Sequence, residues 1–246
     1  MEAYGQFAQV YNQLMEAPYF EWADYIEELW AKFGTNPHLV LDLACGTGVL
    51  TDILSGRGYD MIGVDLSADM LMVARQTNPE ILFLQQDMRE FELYGSVDAI
   101  ICVCDSINYI LEVDELLQVF KQVEFYLNPN GLLIFDINTE YKYSQILADN
   151  DFSGIGESGA YIWENFYDEV ERLNEYQVTF FIGEQDGLYS RHEEVHIQKA
   201  HRPSEIKDAL TVSGLNLLGE FDELTLNPPH GKSERIFFVV QKQEKT

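Results

Sequence analysis

The sequence predicts an α/β fold: a seven-stranded, mostly parallel sheet with helices on both faces and a small antiparallel β insertion after the fifth strand. Between residues 39 and 137, short and almost continuously apolar segments alternate with segments of helical spacing. Such strands are typical of parallel sheets that are covered on both faces. After residue 160 the pattern changes to alternating polar and apolar residues rich in Tyr, Phe, Val and Ile, which indicates antiparallel strands.

The first half of the chain contains five predicted strands and three predicted helices. The strands are residues 39–44, 61–66, 81–84, 97–103 and 132–137. The helices are residues 49–54, which Gly56 and Gly58 end, residues 68–75, with Ser67 as N-cap, and residues 113–127. In the second half we predict antiparallel strands at 160–170, 173–183 and 188–199, a helix at 203–212, and two last strands at 215–224 and 235–241.

Composition limits what the protein can bind. The chain has 246 residues, enough for one large domain or a domain with an insertion, and 46% hydrophobic against 23% charged residues excludes a disordered chain. With 42 acidic and 15 basic residues the formal net charge is −27, which disfavours a broad nucleic-acid surface and a membrane surface. Residues 1–10 contain no basic residue, and no apolar run reaches the roughly 20 residues of a membrane span. The number of cysteines is odd, since the chain contains Cys45, Cys102 and Cys104. This indicates reduced thiols instead of a set of disulfides, so we expect a cytoplasmic protein.

The turn after the first predicted strand contains a pair of glycines, Gly46 and Gly48, and leads into a helix. This arrangement lets the backbone approach a ligand, and the helix N-terminus adds hydrogen-bond donors. The third glycine of a dinucleotide fingerprint would fall at Thr51, which disfavours a dinucleotide-dependent oxidoreductase. Asp65 ends the second strand, 17 residues after Gly48. An acid at this position can accept hydrogen bonds from both hydroxyls of a ribose. The alternative is that it only stabilises the N-terminus of the next helix.

Several segments in order resemble the motifs of class I S-adenosylmethionine-dependent methyltransferases of the small-molecule type. They are Leu-Asp-Leu-Ala-Cys-Gly-Thr-Gly at 41–48, Val-Asp-Leu-Ser at 64–67, Gln-Asp-Met at 86–88, the segment 103–109 and the segment 127–136. The resemblance covers residues 35–140 and, more loosely, the last two strands. It implies a Rossmann-like fold, S-adenosyl-L-methionine as cofactor, and in-line methyl transfer to a small-molecule acceptor.

The resemblance also implies roles for individual residues. The backbone of the turn would hold the methionine part of the cofactor, Asp42 would orient the turn or a water, and Asp65 would accept the ribose hydroxyls. The adenine would lie against Leu66 and Met70 and meet Asp87 and Met88 at its edge. The loop after the fourth strand would face the sulfonium and the acceptor. The implied cofactor-binding residues are thus Asp42, Ala44, Gly46, Gly48, Asp65, Leu66, Met70, Asp87, Met88, Cys104 and Asp105.

The partner of the cofactor carboxylate is open, because no Lys or Arg precedes Lys32. Tyr4, Tyr11, Trp22 or a backbone amide could take this role. The resemblance further suggests a helical lid at residues 1–34, a cofactor-binding domain at 35–140 and 200–246, and a substrate-side insertion at 141–199. We expect a monomer or a homodimer.

The sequence does not single out one residue as a general base. Methyl transfer needs a general base only if the acceptor is protonated at neutral pH. Asp105, Tyr109 and His196 are the candidates. Two other functions stay open at this point: methylation of a macromolecule such as tRNA or protein, and cofactor binding without catalysis.

The sequence His-Glu-Glu-Val-His at 192–196 matches a zinc-protease pattern that requires a helix. Its flanks alternate as a strand, so we expect no metal site. Residues 149–194 hold twelve acids, two bases and nine aromatic residues, among them Tyr161, Trp163, Phe166, Tyr167, Tyr176, Phe180 and Phe181. This composition favours an amine-bearing acceptor if the acids lie beside the aromatic faces. The alternative is that strand alternation packs the aromatic residues inward and leaves the acids in water.

Overall fold

The computed structural model describes residues 17–148, 150–156, 159–184 and 187–243, and their strands form two sheets. The strands are β1 (Leu39–Leu43), β2 (Asp60–Asp65), β3 (Leu82–Gln85), β4 (Val97–Cys102), β5 (Leu127–Asn138), β6 (Asp151–Gly156), β7 (Gly159–Asp168), β8 (Leu173–Gly183), β9 (Tyr189–Lys199), β10 (Leu215–Asp222) and β11 (Arg235–Lys242). The larger sheet has the order β10-β11-β5-β4-β1-β2-β3, and β6 to β9 form a separate antiparallel sheet. The predicted fold class is confirmed.

In the described residues, five α-helices pack around the larger sheet: α1 (Tyr19–Lys32), α2 (Val49–Gly56), α3 (Ala68–Thr77), α4 (Val113–Tyr126) and α5 (Pro203–Ser213). A 3₁₀-helix at Ser106–Tyr109 and a π-helix at Lys142–Leu147 follow the ends of β4 and β5. Ser67 caps α3 as predicted, since its hydroxyl accepts the backbone N–H of Met70 at 3.2 Å. Within the described ranges, no helix is both long and apolar enough to span a membrane.

The strand order places a crevice at the carboxyl end of β1. Strand β1 pairs in parallel with β2 on one side and β4 on the other. The chain moves outward from β1 in opposite directions through β2 and through β4, and ligands of open α/β sheets bind where the order reverses in this way. The fold therefore directs the loops after β1, β2 and β4 toward one site.

The two faces of the larger sheet carry separate apolar layers. Leu41 and Phe135 pack with α4 and α5 on one face, while Val40 and Phe237 pack with α1 and α2 on the other. Helix α1 buries six residues in this second layer. The described part of the predicted lid is therefore a core helix, and residues 1–16 lie outside the described residues.

Two elements differ from the sequence expectation. Strand β6 was not predicted, because its residues are mostly exposed and include two glycines, so no apolar pattern marks them. Strand β5 begins at Leu127 instead of residue 132, because Leu127 pairs with Val97 before a register shift. Gly131 is tightly enclosed there: a Cβ would lie 2.7 Å from the carbonyl oxygen of Asp98.

Candidate functional site

A cavity of about 540 Å³ lies at the carboxyl ends of β1 to β4. Its walls come from the turn at 44–47, the end of β2, the start of α3, the loop 85–89 and the segment after β4. Its lining includes the acids Asp42, Asp65 and Asp87 together with apolar side chains such as Leu66 and Met70. The strand order directs the loops after β1, β2 and β4 to this site, and the loop 85–89 after β3 joins them.

The turn after β1 is held in a left-handed backbone conformation. Ala44 has φ 63°, and Gly46 has φ 55°, a region that favours glycine. The carboxylate of Asp65 fixes the turn, since its Oδ2 accepts the N–H of Gly46 and its Oδ1 accepts the N–H of Ser67, each at 2.8 Å. Burial raises the pKa of Asp65, and the hydrogen bonds from the backbone N–H groups of Ser67 and Gly46 oppose this rise. Each carboxylate oxygen keeps lone pairs for a further donor.

Asp42 lies in β1 with 3% of its surface exposed and lines the same cavity. Its Oδ2 accepts a hydrogen bond of 2.6 Å from the hydroxyl of Thr51. Burial raises the pKa of Asp42 to about 7; the bond from Thr51 works against the rise, and the charge of Asp65 adds to it. The cavity thus contains a carboxyl group poised to change charge near neutral pH.

Two glycines let Phe83 pack beneath the turn. A Cβ on Gly63 would lie 2.4 Å from Cδ1 of Phe83, and a Cβ on Gly48 would lie 3.0 Å from its Cζ. Gly48 does not line the cavity. Its role in the structure is close packing and the N-terminus of α2, where it adopts φ 75°.

At the other end of the cavity, Leu66 is 64% exposed and Met70 is buried. Asp87 accepts hydrogen bonds from Nε of Arg89 at 2.9 Å and from its Nη2 at 2.5 Å. The hydrogen bonds from Arg89 lower the pKa of Asp87. Arg89 also pairs with Glu115 and lines the cavity, a role the sequence analysis missed although Arg89 stands only two residues after Asp87.

The segment after β4 turns sharply through two successive left-handed residues, Cys104 with φ 68° and Asp105 with φ 53°. The N–H of Asp105 donates to Oδ2 of Asp136 at 3.0 Å. Both carboxylate oxygens of Asp105 accept hydrogen bonds, from Arg235 at 2.9 Å and from Gln198 at 2.7 Å. Burial raises the pKa of the Cys104 thiol to about 12.

A second cavity of about 320 Å³ lies between α1, the sheet and the insertion. Aromatic side chains form much of its wall, namely Trp22, Trp163, Tyr176 and Phe180. The polar and charged lining residues come from several elements: Asp105, Asn138, Lys142, His196, Gln198, Glu223 and Arg235. Cys104 and Tyr109 line both cavities, so the two cavities are neighbours.

Tyr109 and His196 are 87 residues apart in the sequence and hydrogen bond in the structure. The Tyr109 hydroxyl lies 3.1 Å from Nδ1 of His196 and 2.8 Å from the hydroxyl of Tyr176. Nε2 of His196 lies 3.3 Å from Oε2 of Glu194. The His196 ring stacks on Tyr176, with centroids 5.0 Å apart. Two of the three candidates for a base therefore belong to one partly buried network.

The structure divides the predicted cofactor residues between the two cavities. Nine line the first cavity: Asp42, Ala44, Gly46, Asp65, Leu66, Met70, Asp87, Met88 and Cys104. Trp22 and Asp105 line the second cavity and not the first, because α1 packs flat on the sheet and the left-handed turn redirects the chain after Cys104. Tyr4 and Tyr11 lie outside the described residues. Tyr19, at the start of α1, lines the first cavity and was not predicted.

The acids of the insertion do not surround its aromatic cavity wall. Trp163, Tyr176 and Phe180 face the cavity, while Glu164, Glu175 and Glu193 are exposed. Strand alternation sends neighbouring residues to opposite faces, so these three acids do not lie beside the aromatic faces. Glu194 differs, because its side chain is 9% exposed and lies next to His196, whose ring stacks on Tyr176. Residues 192–196 belong to strand β9, as expected, and the described residues contain no cluster of three or more metal-ligating side chains.

Comparisons with known proteins agree with this geometry. A methyltransferase-domain family matches residues 40–131. A relative from Geobacillus sp. (strain WCH70) is 37% identical over 97% of this chain and 99% of its own length, and YqeM of Bacillus subtilis (strain 168) is 36% identical over 98% of both chains. Both are provisionally described as methyltransferases. A crystal structure of an S-adenosylmethionine-dependent methyltransferase from Clostridium acetobutylicum ATCC 824 is 32% identical, with a TM-score of 0.88 over 98% of this chain and 99% of that one.

The chain belongs to the S-adenosylmethionine-dependent methyltransferases. It is an enzyme that uses S-adenosyl-L-methionine, as the resemblance of its motifs implied. The first cavity fits this cofactor chemically: carboxylates suit a sulfonium, an ammonium and ribose hydroxyls, and apolar side chains suit an adenine ring.

Proposed function

We propose that the first cavity holds S-adenosyl-L-methionine with its methionine part at the turn 44–47 and its adenine between Leu66 and Met70. Asp65 accepts the ribose hydroxyls with the lone pairs that Gly46 and Ser67 leave, and Asp87 meets the adenine amino group. Asp42 supports the ammonium end. The carboxylates at 42, 65 and 87 line this one cavity, which supports the assignment. When bound, the cofactor supplies an electrophilic methyl group.

We propose further that the methyl acceptor is a small molecule bound in the second cavity. The observation that carries this proposal is that Cys104 and Tyr109 line both cavities. A donor in one cavity then meets an acceptor in the other across a shared wall, and the enzyme contributes positioning and exclusion of water. A cavity of about 320 Å³ suits a small ligand.

An amine is the acceptor class that we favour. Aromatic faces of Trp163 and Tyr176 attract cations, and Glu223 adds a carboxylate. Arg235 does not make the wall basic, because Asp105 and Asp136 pair with it. Relatives that match about half of the chain include an amino-sugar N,N-dimethyltransferase from Streptomyces fradiae, 28% identical over 135 residues, and a glycine/sarcosine N-methyltransferase from Halorhodospira halochloris, 31% identical over 118 residues.

An acceptor screen with methyl-labelled S-adenosylmethionine tests this function. Panels of amines, alcohols, carboxylates, tRNA and protein extract are compared, and we expect label in the amines. Trp163→Ala should then raise the KM for the amine and leave cofactor affinity unchanged. Ile162→Ala, the next residue on the outer face of β7, is the matched control. Label only in tRNA, protein or carboxylates would refute the proposal. A cytoplasmic location and a monomeric or homodimeric state stay predictions.

A further inference from the structure

Lys142 lines the second cavity and has no role in the function proposed so far. It is the first residue of the π-helix Lys142–Leu147, and π-helices are rare elements that occur frequently at functional sites. Its backbone N–H donates to Oγ1 of Thr139 at 3.2 Å, and the Thr139 hydroxyl donates to the carbonyl oxygen of Ser233 at 2.7 Å. The next residue, Tyr143, is fully buried. The backbone is therefore anchored on both sides of the lysine.

The ammonium group of Lys142 has few partners within the described part of the chain. There, Nζ donates one hydrogen bond of 3.0 Å to Oδ1 of Asn138 and forms no ion pair with a carboxylate. An ammonium group has three N–H donors, so two are left for a ligand or for water. Lys142 thus brings a cation to the second cavity without a counter-ion in direct contact.

A second cation of this cavity, Arg235, is already engaged. Its guanidinium pairs with Asp105 at 2.9 Å, with Glu223 at 3.1 Å and with Asp136. Three carboxylates therefore surround one guanidinium, and an anionic ligand would gain little from approaching it. Lys142 is the group of this wall that suits an anion better.

Charged groups from several elements act on Lys142. Burial is the main cause that lowers its pKa, and the charge of Arg235 on β11 lowers it further. Asp105 after β4, Glu223 after β10 and Glu234 before β11 act in the opposite direction. A negative charge bound at Nζ would favour the charged ammonium and so offset part of the cost of its burial.

We propose that Lys142 binds a carboxylate of the methyl acceptor, so that the acceptor is an amino acid or a similar amino carboxylate. This inference rests on the proposed function, which places an amine in the same cavity. The amine lies against the aromatic faces of Trp163 and Tyr176, and the carboxylate accepts hydrogen bonds from Nζ of Lys142. One ammonium group balances the single charge of a carboxylate. A phosphate group carries close to two negative charges at neutral pH and would need a second free cation.

Matched pairs of acceptors measure the role of the carboxylate. Each amino acid of a panel is compared with its carboxamide, which has nearly the same shape and no negative charge. In the wild-type enzyme, kcat/KM should be roughly 10–100-fold higher for the acid of the best pair, the range expected for hydrogen bonds between charged groups. The amide loses its ammonium proton more readily than the acid, so this difference works against the expected preference. The label should resist alkali, because an N-methyl group is stable there and a methyl ester is hydrolysed.

Lys142→Met should remove this preference, because it keeps the length of the side chain and deletes its charge. The KM for the acid should rise by the same roughly 10–100-fold, while the KM for the amide should change little. Lys121→Met is the matched control, since Lys121 is exposed on α4. Circular dichroism and calorimetry should show a native fold and unchanged affinity for S-adenosylmethionine. Lys142→Gln, which keeps a donor and loses the charge, replaces Lys142→Met if that variant does not fold.

Three outcomes would overturn the carboxylate site in different ways. Equal kcat/KM values for acids and amides in the wild type, or equal rises in KM for both in Lys142→Met, overturn the site and leave the amine acceptor standing. Faster methylation of aminoalkyl phosphonates than of the amino acids assigns the subsite to a more highly charged anion and so also overturns the carboxylate. Failure of the wild-type enzyme to methylate any amine, or a label that alkali removes, overturns the amine acceptor and with it this inference.

Discussion

Thr51 donates a hydrogen bond of 2.6 Å from its hydroxyl to Oδ2 of Asp42, and both side chains are buried. Thr51 occupies the position where a dinucleotide fingerprint would have its third glycine. A glycine at this position has no hydroxyl to donate to the Asp42 carboxyl. Thr51 therefore provides a hydrogen bond to a buried acid that lines the first cavity. This pair gives a structural reason why the chain departs from the dinucleotide fingerprint at position 51.

Asp42→Asn should change how stability depends on pH. The pKa of Asp42 is about 7 in the folded protein against 3.8 for an unperturbed aspartate, so the folded state holds an extra proton between these values and loses stability as the pH rises through them. The Asp42→Asn variant does not titrate at this position and so does not lose this stability. Its free energy of unfolding relative to wild type should therefore rise between pH 3.8 and about 7, by up to roughly 4 kcal/mol. Urea unfolding across this range measures it. A difference that stays constant with pH contradicts the prediction, and exposed Asp60→Asn is the control.

Asp65→Ala should weaken cofactor binding. The change removes the acceptor of the proposed ribose hydrogen bonds and also the bond that fixes the Gly46 N–H. We expect a loss on the order of 2–4 kcal/mol in binding free energy by calorimetry, with native circular dichroism. Unchanged affinity would remove Asp65 from the site. NAD and NADP should not bind measurably to the wild-type protein.

Gly63→Ala should destabilise the protein by roughly 1–3 kcal/mol, because the new methyl group meets Cδ1 of Phe83 at 2.4 Å and Sγ of Cys45 at 2.8 Å. Phe83→Leu in the same chain should recover part of the loss by making room. Gly95→Ala places its methyl group in open space and serves as the control. The prediction fails if both glycine variants unfold at the same urea concentration.

Arg235→Met should cost roughly 3–5 kcal/mol of stability, because it leaves the buried carboxylate of Asp136 and the partly buried carboxylate of Asp105 without their cation. Burial raises the pKa of Asp136, and the charge of Arg235 opposes this rise. Adding Asp136→Asn should therefore restore part of the stability. Arg191→Met removes an exposed ion pair with Glu193 and should change stability by less than about 0.5 kcal/mol. A loss in Arg235→Met as small as the loss in Arg191→Met would contradict the prediction.

Purified protein should contain no stoichiometric zinc, and a chelator should leave cofactor binding intact. The reason is that His192 and His196 lie on a strand, where residues four apart are too distant to share one ion. Elemental analysis decides the point. One zinc per chain that is lost in His196→Ala would restore the metal hypothesis.

The sequence by itself determined the parallel sheet and most of the lining of the first cavity. Continuously apolar strands, the glycines at 46 and 48, and the acids at 65 and 87 are local patterns, and the ends of parallel strands converge wherever the strands align. The same local patterns identified the insertion as antiparallel. They did not find β6 or the early start of β5, because exposed residues and a register shift carry no apolar signal.

Only the tertiary structure decided which side chains share the second cavity. Tyr109 and His196 meet because β9 packs against the 3₁₀-helix after β4, and this contact spans 87 residues. Packing also placed Trp22 and Asp105 at the second cavity and left Glu164, Glu175 and Glu193 of the insertion exposed to solvent. A sequence pattern specifies the face of a strand on which a residue lies, but what that face meets depends on how separate elements pack.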